Sequence, residues 1–250
     1  FEDATGVNSG ASTNATRNTT GKYYAGATPT QEALTTVGSS SWTAPAAIVT
    51  PMTLLVVGGG GGSASTGNGN GAGGAGGLVY ISNYTVVGGQ AYTYTVGDGG
   101  DGVASSPNNA STNGGNSVFD GAAFHQTITG NGGGKGGTNT GAAGAGGSGG
   151  GEANGPGYNT PAVSNQPADF GSYTGVGFGN SGGKQGANSL SMSSGGGGGA
   201  GGVGGNSPSS PNGYGGDGGI GKDYSAVFGT GVGDSGWFAG GGGGAGGPSP

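Results

Sequence analysis

The chain has 250 residues, of which 74 are glycine and only 6% are charged, and its formal net charge is −6. The five cationic residues are scattered, so the sequence lacks the basic patch that nucleic-acid binding requires. The absence of cysteine excludes a disulfide framework. The longest continuous apolar run, residues 54–57, is far shorter than the ~20 residues needed to cross a bilayer.

So much glycine would by default predict a flexible coil, because glycine loses more backbone freedom on folding than any other residue. The low charge argues against a chain held open by self-repulsion. Low charge, no cysteine and abundant Gly, Ser, Thr and Asn instead favour a protein of the extracellular space, the cell surface or the virion surface. The chain starts at Phe1 and shows no signal peptide, which fits a processed product or a segment of a longer protein.

Residues 1–40 are polar and lack periodicity, and we expect an arm or a pair of loose strands that packs on a neighbour. Residues 41–130 hold the β-branched and aromatic residues, and residues 91–96 alternate with period two, as a half-buried strand should. Together these features predict a small β-rich base with glycine-rich excursions. Its predicted strands are residues 41–45, 52–57, 78–82, 84–87, 91–96, 116–119 and 123–129.

The glycine runs follow a G-G-X triplet, which predicts rods with three residues per turn. Tyr214, Asp217 and Ile220 are separated by Gly-Gly pairs, as are Ala72 and Ala75. A polyproline-II-type helix has three residues per turn and a rise near 3.1 Å per residue, and it makes no internal hydrogen bonds. Because buried backbone groups must be paired, such rods are expected to pair side by side across their bare glycine edges.

The predicted fold class is therefore all-β plus polyglycine II: a small β-sandwich-like unit with packed polyglycine-II helices and no α-helix. Residues 131–250 form the rod and turn region in this interpretation. Eleven prolines are too few for collagen. The triplet frame predicts that valine at Gly202 or Gly216 disrupts folding far more than alanine at Val203 or Asp217.

Catalytic and metal sites find little support in the sequence. His125, the only histidine, lies in a predicted strand, where a structural role is the better interpretation. Asp98, Asp101 and Asp217 occur in glycine-rich turns, but they do not recur in tandem as calcium-binding β-roll repeats require. We therefore expect no enzyme activity, no cofactor and no bound metal.

The glycine-rich half carries aromatic residues that could stack on sugar rings or contact a receptor. The alternative, which we favour, is that they cap rod ends or fill contacts between subunits. These candidate receptor or glycan contacts are Tyr158, Tyr173, Phe178, Tyr214, Trp237 and Phe238.

Several segments together resemble a glycine-rich domain found in phage tail-fibre and adhesin proteins. They cover residues 43–45 (TAP), 54–62 (LLVVGGGGG), 73–80 (GGAGGLVY), 92–100 (YTYTVGDGG), 115–119 (GNSVF) and 237–247 (WFAGGGGGAGG). The resemblance implies a β-rich base, polyglycine-II rods and exposed loops that recognise a host surface.

Two functions follow as expectations. The first is a non-enzymatic structural protein of the extracellular space or virion, a self-associating fibre or filament subunit that forms a homo-oligomer or homopolymer and exposes loops for attachment. The second is a tail-fibre tip adhesin that binds a host surface glycan or outer-membrane protein. Neither needs nucleic acid or insertion into a membrane.

Overall fold

The structure is a computed structural model of the chain. It describes residues 16–17, 23–24, 31–46, 48, 51–63, 70–102, 111–121, 126–153, 160–186, 193–208 and 213–246. His125 and Tyr158 lie outside these residues.

The described part of the chain folds into antiparallel sheets. The strands are β1 (Thr16–Arg17), β2 (Tyr23–Tyr24), β3 (Gly38–Thr43), β4 (Met52–Val57), β5 (Leu78–Tyr84), β6 (Ala91–Val96), β7 (Ser117–Phe119), β8 (Ile128–Gly130), β9 (Gly177–Phe178), β10 (Lys222–Asp223) and β11 (Trp237–Phe238). The larger sheets have the orders β3-β6-β7-β8 and β4-β5-β9, and β1-β2 and β10-β11 form two-stranded pairs.

One aromatic core joins the two larger sheets. Phe119 on β7 stacks against Tyr92 on β6, with ring centroids 5.6 Å apart, and meets the edge of Tyr84 from β5 at the same centroid distance. The Tyr84 hydroxyl donates a hydrogen bond of 2.7 Å to the Gln126 carbonyl. Burial of large rings with a partner for the polar tip is the usual way that tyrosine stabilises a core.

The all-β prediction is confirmed, and two strands have the predicted bounds, β4 and β6. β5 is one continuous strand, although the sequence suggested two separate segments there. One four-residue helix, α1 (Ser225–Phe228), is the exception to the predicted absence of α-helix. Its residues, SAVF, contain no glycine, so the local cost of helix formation is low.

The glycine-rich segments leave the strands directly and pair with each other through backbone hydrogen bonds. We call this assembly the glycine bundle. It comprises the runs 58–63, 70–77, 97–102, 111–116, 131–137, 144–153, 179–186, 193–200, 201–208, 213–221 and 239–246.

Hydrogen bonds in the bundle recur every third residue. The N–H groups of Gly71, Gly74 and Gly77 donate to the carbonyls of residues 137, 134 and 131, at distances of 2.7–3.0 Å. Three residues per turn bring every third peptide group to the same side, so the bonds have the predicted period. The polyglycine-II conformation of the individual runs stays a prediction.

The central run, residues 193–200, is buried along its whole length and bonds to six other runs. Its N–H groups donate to three runs, 144–153, 201–208 and 239–246, and its carbonyls accept from three others, 70–77, 179–186 and 213–221. Six neighbours around one run leave room for almost no side chains. The composition therefore follows from the packing, because an inward Cβ would overlap a neighbouring backbone.

The expectation about Gly216 has a clear steric basis, and that about Gly202 has a weaker one. A Cβ at Gly216 would overlap the Gly205 carbonyl, but one at Gly202 would come closest to the flexible Ile220 side chain, at 3.1 Å. The Gly199 N–H donates to the Gly202 carbonyl, so Gly202 closes a turn between two runs.

Candidate functional site

A hairpin joins the last two glycine runs, residues 213–221 and 239–246, and it carries several aromatic and charged side chains. It begins with β10 at Lys222, includes α1 and ends with β11 at Phe238. Lys222 pairs with Phe238, and Asp223 pairs with Trp237. The hairpin thus places two aromatic residues of the predicted contact set on a short, exposed ribbon.

A tight turn holds Trp237. Asp234 and Trp237 exchange two backbone hydrogen bonds of 2.9 Å, with Ser235 and Gly236 between them at φ of 52° and 89°. Two consecutive positive φ angles are the signature of a type I′ turn. Ser235 and Ala239 are the two non-glycine residues with positive φ among those described, and both flank this ribbon. Such clustered strain often marks a functional loop.

An aromatic cluster anchors the hairpin to the sheet β4-β5-β9. Tyr224 stacks on Tyr80 of β5 with centroids 4.5 Å apart, and Phe228 of α1 meets the edges of Tyr80 and Phe238 at 6.3 and 6.4 Å. Burial, together with the nearby Tyr80, raises the pKa of the Tyr224 hydroxyl to about 12. The hydroxyl therefore stays protonated at any physiological pH.

Two charged residues of the hairpin, Lys222 and Asp223, are engaged within the protein. The Lys222 ammonium lies 3.9 Å from the centroid of the Phe178 ring, within the range of a cation–π interaction. The Asp223 carboxylate accepts a hydrogen bond of 2.8 Å from the N–H of Ser225, at the start of α1. Hydrogen bonds from Ser225 hold the pKa of this carboxyl below its usual value.

The predicted aromatic contacts divide into packed and free residues. Tyr173 stacks on Tyr84 at 5.8 Å, Phe178 lies under Lys222, and Phe238 packs against Phe228. Tyr214 is 66% exposed and Trp237 is 45% exposed. Within the described part of the chain, neither of these two rings contacts another ring. Whether any of them binds a receptor stays a prediction.

Small polar side chains close the far end of the bundle, away from the sheets. The Ser194 hydroxyl donates to the Asn70 carbonyl at 2.5 Å, and the hydroxyls of Ser193 and Ser207 are also 2.5 Å apart. Backbone hydrogen bonds at the same end join Gly62 to Thr112, Glu152 to Gly183 and Ser207 to Lys184. We call this end of the glycine bundle the distal end.

Glu152 is a buried acid near the distal end. It is 2% exposed; its Oε2 accepts a hydrogen bond of 3.0 Å from the Gln185 N–H, but its buried Oε1 has no partner among the described residues. Burial raises the pKa of this carboxyl, an effect that the Gln185 hydrogen bond and the Lys184 charge reduce but do not cancel.

Sequence reasoning missed the Tyr80–Tyr224–Phe228 cluster and Glu152. A usable signal existed for Glu152: the triplet frame Ala145, Ser148, Gly151 places it where the pattern requires glycine. Tyr224 and Phe228 have the spacing of one helical turn, but the surrounding glycine obscured that local pattern.

The described residues contain no group of three or more His, Asp or Glu side chains close enough to share a metal ion. Among the same residues, none of the helical structure is long and apolar enough to span a membrane.

Comparison with known proteins supplies the family. The sequence profile of the glycine-rich domain matches residues 35–250, which include the two larger sheets, the glycine bundle and the hairpin. Searches of curated proteins and of solved structures each found no match. Because the match extends over most of the chain, the protein belongs to the glycine-rich domain family.

Proposed function

We propose that the protein is a non-enzymatic structural protein of the extracellular space or virion surface, a fibre or filament subunit whose glycine bundle holds attachment loops in fixed positions. The six-neighbour packing of the central run carries this proposal. A run whose peptide groups are paired on all sides cannot shift without breaking several hydrogen bonds at once.

The bonding at the distal end supports a display role. Described residues of different runs are hydrogen-bonded to one another there, as Gly62 is to Thr112 and Ser207 is to Lys184. A rigid scaffold that positions binding loops is a common way to build a binding surface. In the proposed fibre, residues 1–40 pack on a neighbouring subunit.

Electron microscopy of the native particle or of the purified full chain tests this proposal. We expect regular filaments or fibres, with residues 1–40 at a contact between subunits. Deletion of residues 1–30 should then leave a folded subunit that no longer assembles. A particle that contains one isolated chain under all conditions would contradict the fibre.

A second candidate function is adhesion at the tip of a tail fibre, as the phage tail-fibre resemblance suggests. The exposed Trp237 ring, held by a tight turn and free of ring partners among the described residues, favours this candidate. An exposed tryptophan can stack on the apolar face of a sugar, and binding surfaces are enriched in this residue.

If Trp237 binds a glycan, Trp237→Ala should weaken attachment to host cells by ~30-fold, as expected for a tryptophan that contributes about 2 kcal/mol. Val227→Ala, which truncates another exposed apolar side chain of the same hairpin, is the matched control and should keep full attachment. Attachment measured by cell pull-down with equal loss for both variants, or with no loss for Trp237→Ala, would reject this site.

A further inference from the structure

The outer run of the bundle, residues 213–221, has an open side. It bonds to three runs: the central run, residues 201–208 and residues 239–246. The central run has six neighbours, so half of the positions around the outer run are unoccupied within the described structure. The N–H and carbonyl groups of Gly215 and Gly218 and the N–H group of Asp217 have no partner there.

A row of unpaired backbone groups is a template for another chain, as at the edge of a β-sheet. Runs in this bundle pair in both relative directions. Residues 71–77 and 131–137 are antiparallel, whereas Gly216 and Gly219 donate to residues 194 and 197 of a parallel run. Direction therefore does not prevent a glycine run of a second copy from adding to this side.

The open side of the outer run differs from its other two sides in which residues point toward it. Cβ atoms at Gly216 and Gly219 would overlap run 201–208, and those at Gly215 and Gly218 would overlap run 239–246. With three residues per turn, the third set of positions does not point at the backbone of either run, although the Ile220 side chain lies beside Gly202. That set is Tyr214, Asp217 and Ile220, and burial along the run follows the same period of three.

These three side chains are large or charged, unlike those at buried positions of the triplet frame. Ala72, Ala75, Ser148 and Ala200 are all at most 5% exposed. Tyr214 and Ile220 are instead 66% and 64% exposed. A carboxylate at Asp217 would lose its hydration if a further run packed on it, which costs several kcal/mol without a partner.

We infer that Tyr214, Asp217 and Ile220 act as edge guards, which stop the glycine bundle from adding a run of a second copy on its open side. Residues 97–102, which bond to runs 58–63 and 111–116, also carry exposed aspartates, Asp98 and Asp101. This inference does not rest on the proposed fibre; it requires only that any assembly of subunits uses surfaces other than the open side of residues 213–221.

The test is the triple variant Tyr214→Ala/Asp217→Ala/Ile220→Ala, which gives the open side the small side chains of the bundle interior. We expect an association beyond the wild-type state, seen as a concentration-dependent increase of the sedimentation coefficient. Backbone N–H groups of Gly215 and Gly218 should also become at least tenfold slower in hydrogen exchange. Wild-type circular dichroism would show that the subunit fold is kept.

The matched control is Val163→Ala/Val227→Ala/Asp234→Ala, which removes two exposed apolar side chains and the same charge away from the open side. It should sediment like the wild type. Unchanged sedimentation and exchange in the edge-guard variant, or equal association in the control, would overturn the inference. If the triple variant does not fold, Asp217→Asn alone must still increase association for the inference to hold. Whether the wild-type protein forms filaments tests only the proposed fibre and not this inference.

Discussion

Alanine at Gly61 is expected to destabilise the protein by about 3 kcal/mol or more, whereas alanine at the adjacent Gly60 should be neutral or slightly stabilising. A Cβ at Gly61 would overlap the Gly134 carbonyl and lie 2.9 Å from the Gly133 carbonyl oxygen. Overpacking of a filled interior costs about 1–3 kcal/mol when side chains can adjust, and here the obstruction is hydrogen-bonded backbone.

Gly60 is a closely matched control because it lies next to Gly61 in the same run. Its Cβ would have 3.9 Å to the nearest atom, the Gly74 carbonyl oxygen. Alanine at a compatible glycine stabilises by about 0.4–1 kcal/mol, because it reduces the freedom of the unfolded chain. Chemical denaturation of the two variants beside the wild type measures the difference. Equal stability of both variants would contradict the packing described for the bundle.

Glutamine at Glu152 is expected to stabilise the protein above neutral pH by roughly 1 kcal/mol, because it removes the cost of desolvating a buried charge, although its amide nitrogen takes the place of the unpartnered oxygen. Glutamine keeps an oxygen that can accept the Gln185 N–H, and it carries no charge to desolvate. The wild-type carboxylate has one oxygen without any partner among the described residues while it is 2% exposed.

The sign of the pH dependence follows from the raised pKa of Glu152. An unfolded glutamate titrates near 4.3, so between that pH and the higher pKa of the folded state the folded protein binds the extra proton. The contribution of Glu152 to stability is therefore fully present below about pH 4.3 and is lost as the pH rises through its folded pKa.

Melting temperatures from pH 4 to pH 9 test this expectation. The difference between Glu152→Gln and the wild type should grow with pH and then level off. Asp234→Asn removes one negative charge from an exposed carboxyl and should show no such growth. A constant difference across the range would mean that Glu152 keeps the same protonation state in the folded and unfolded chains.

The sheets were the most predictable part of the fold. Alternation of apolar and polar residues over 91–96 and the apolar run 52–57 gave β6 and β4 with their observed bounds. Both segments carry β-branched or aromatic residues, whose side chains suit a half-buried pleated surface. The patterns of β4 and β6 depend on the residues of each segment itself, so they can be recognised without knowing which elements pack against it.

The glycine triplet was informative about the period but not about which positions face another run. Gly202 and Gly216 look equivalent in sequence, yet only Gly216 faces a neighbouring backbone. The difference depends on the turn at Gly199–Gly202 and on partners that are distant in sequence. For the same reason, the free rings of Tyr214 and Trp237 could not be separated from the packed rings of Tyr173 and Phe238 before the structure was known.

The near absence of side chains around the central run also shapes how stability responds to temperature. Unfolding of such a region exposes mainly peptide groups, and polar surface lowers the heat capacity of unfolding whereas apolar surface raises it. The heat-capacity change per residue should therefore be smaller than in a domain with a conventional core. A smaller heat-capacity change flattens the curve of unfolding free energy against temperature. The free energy of unfolding of the bundle should therefore vary little between low and high temperature.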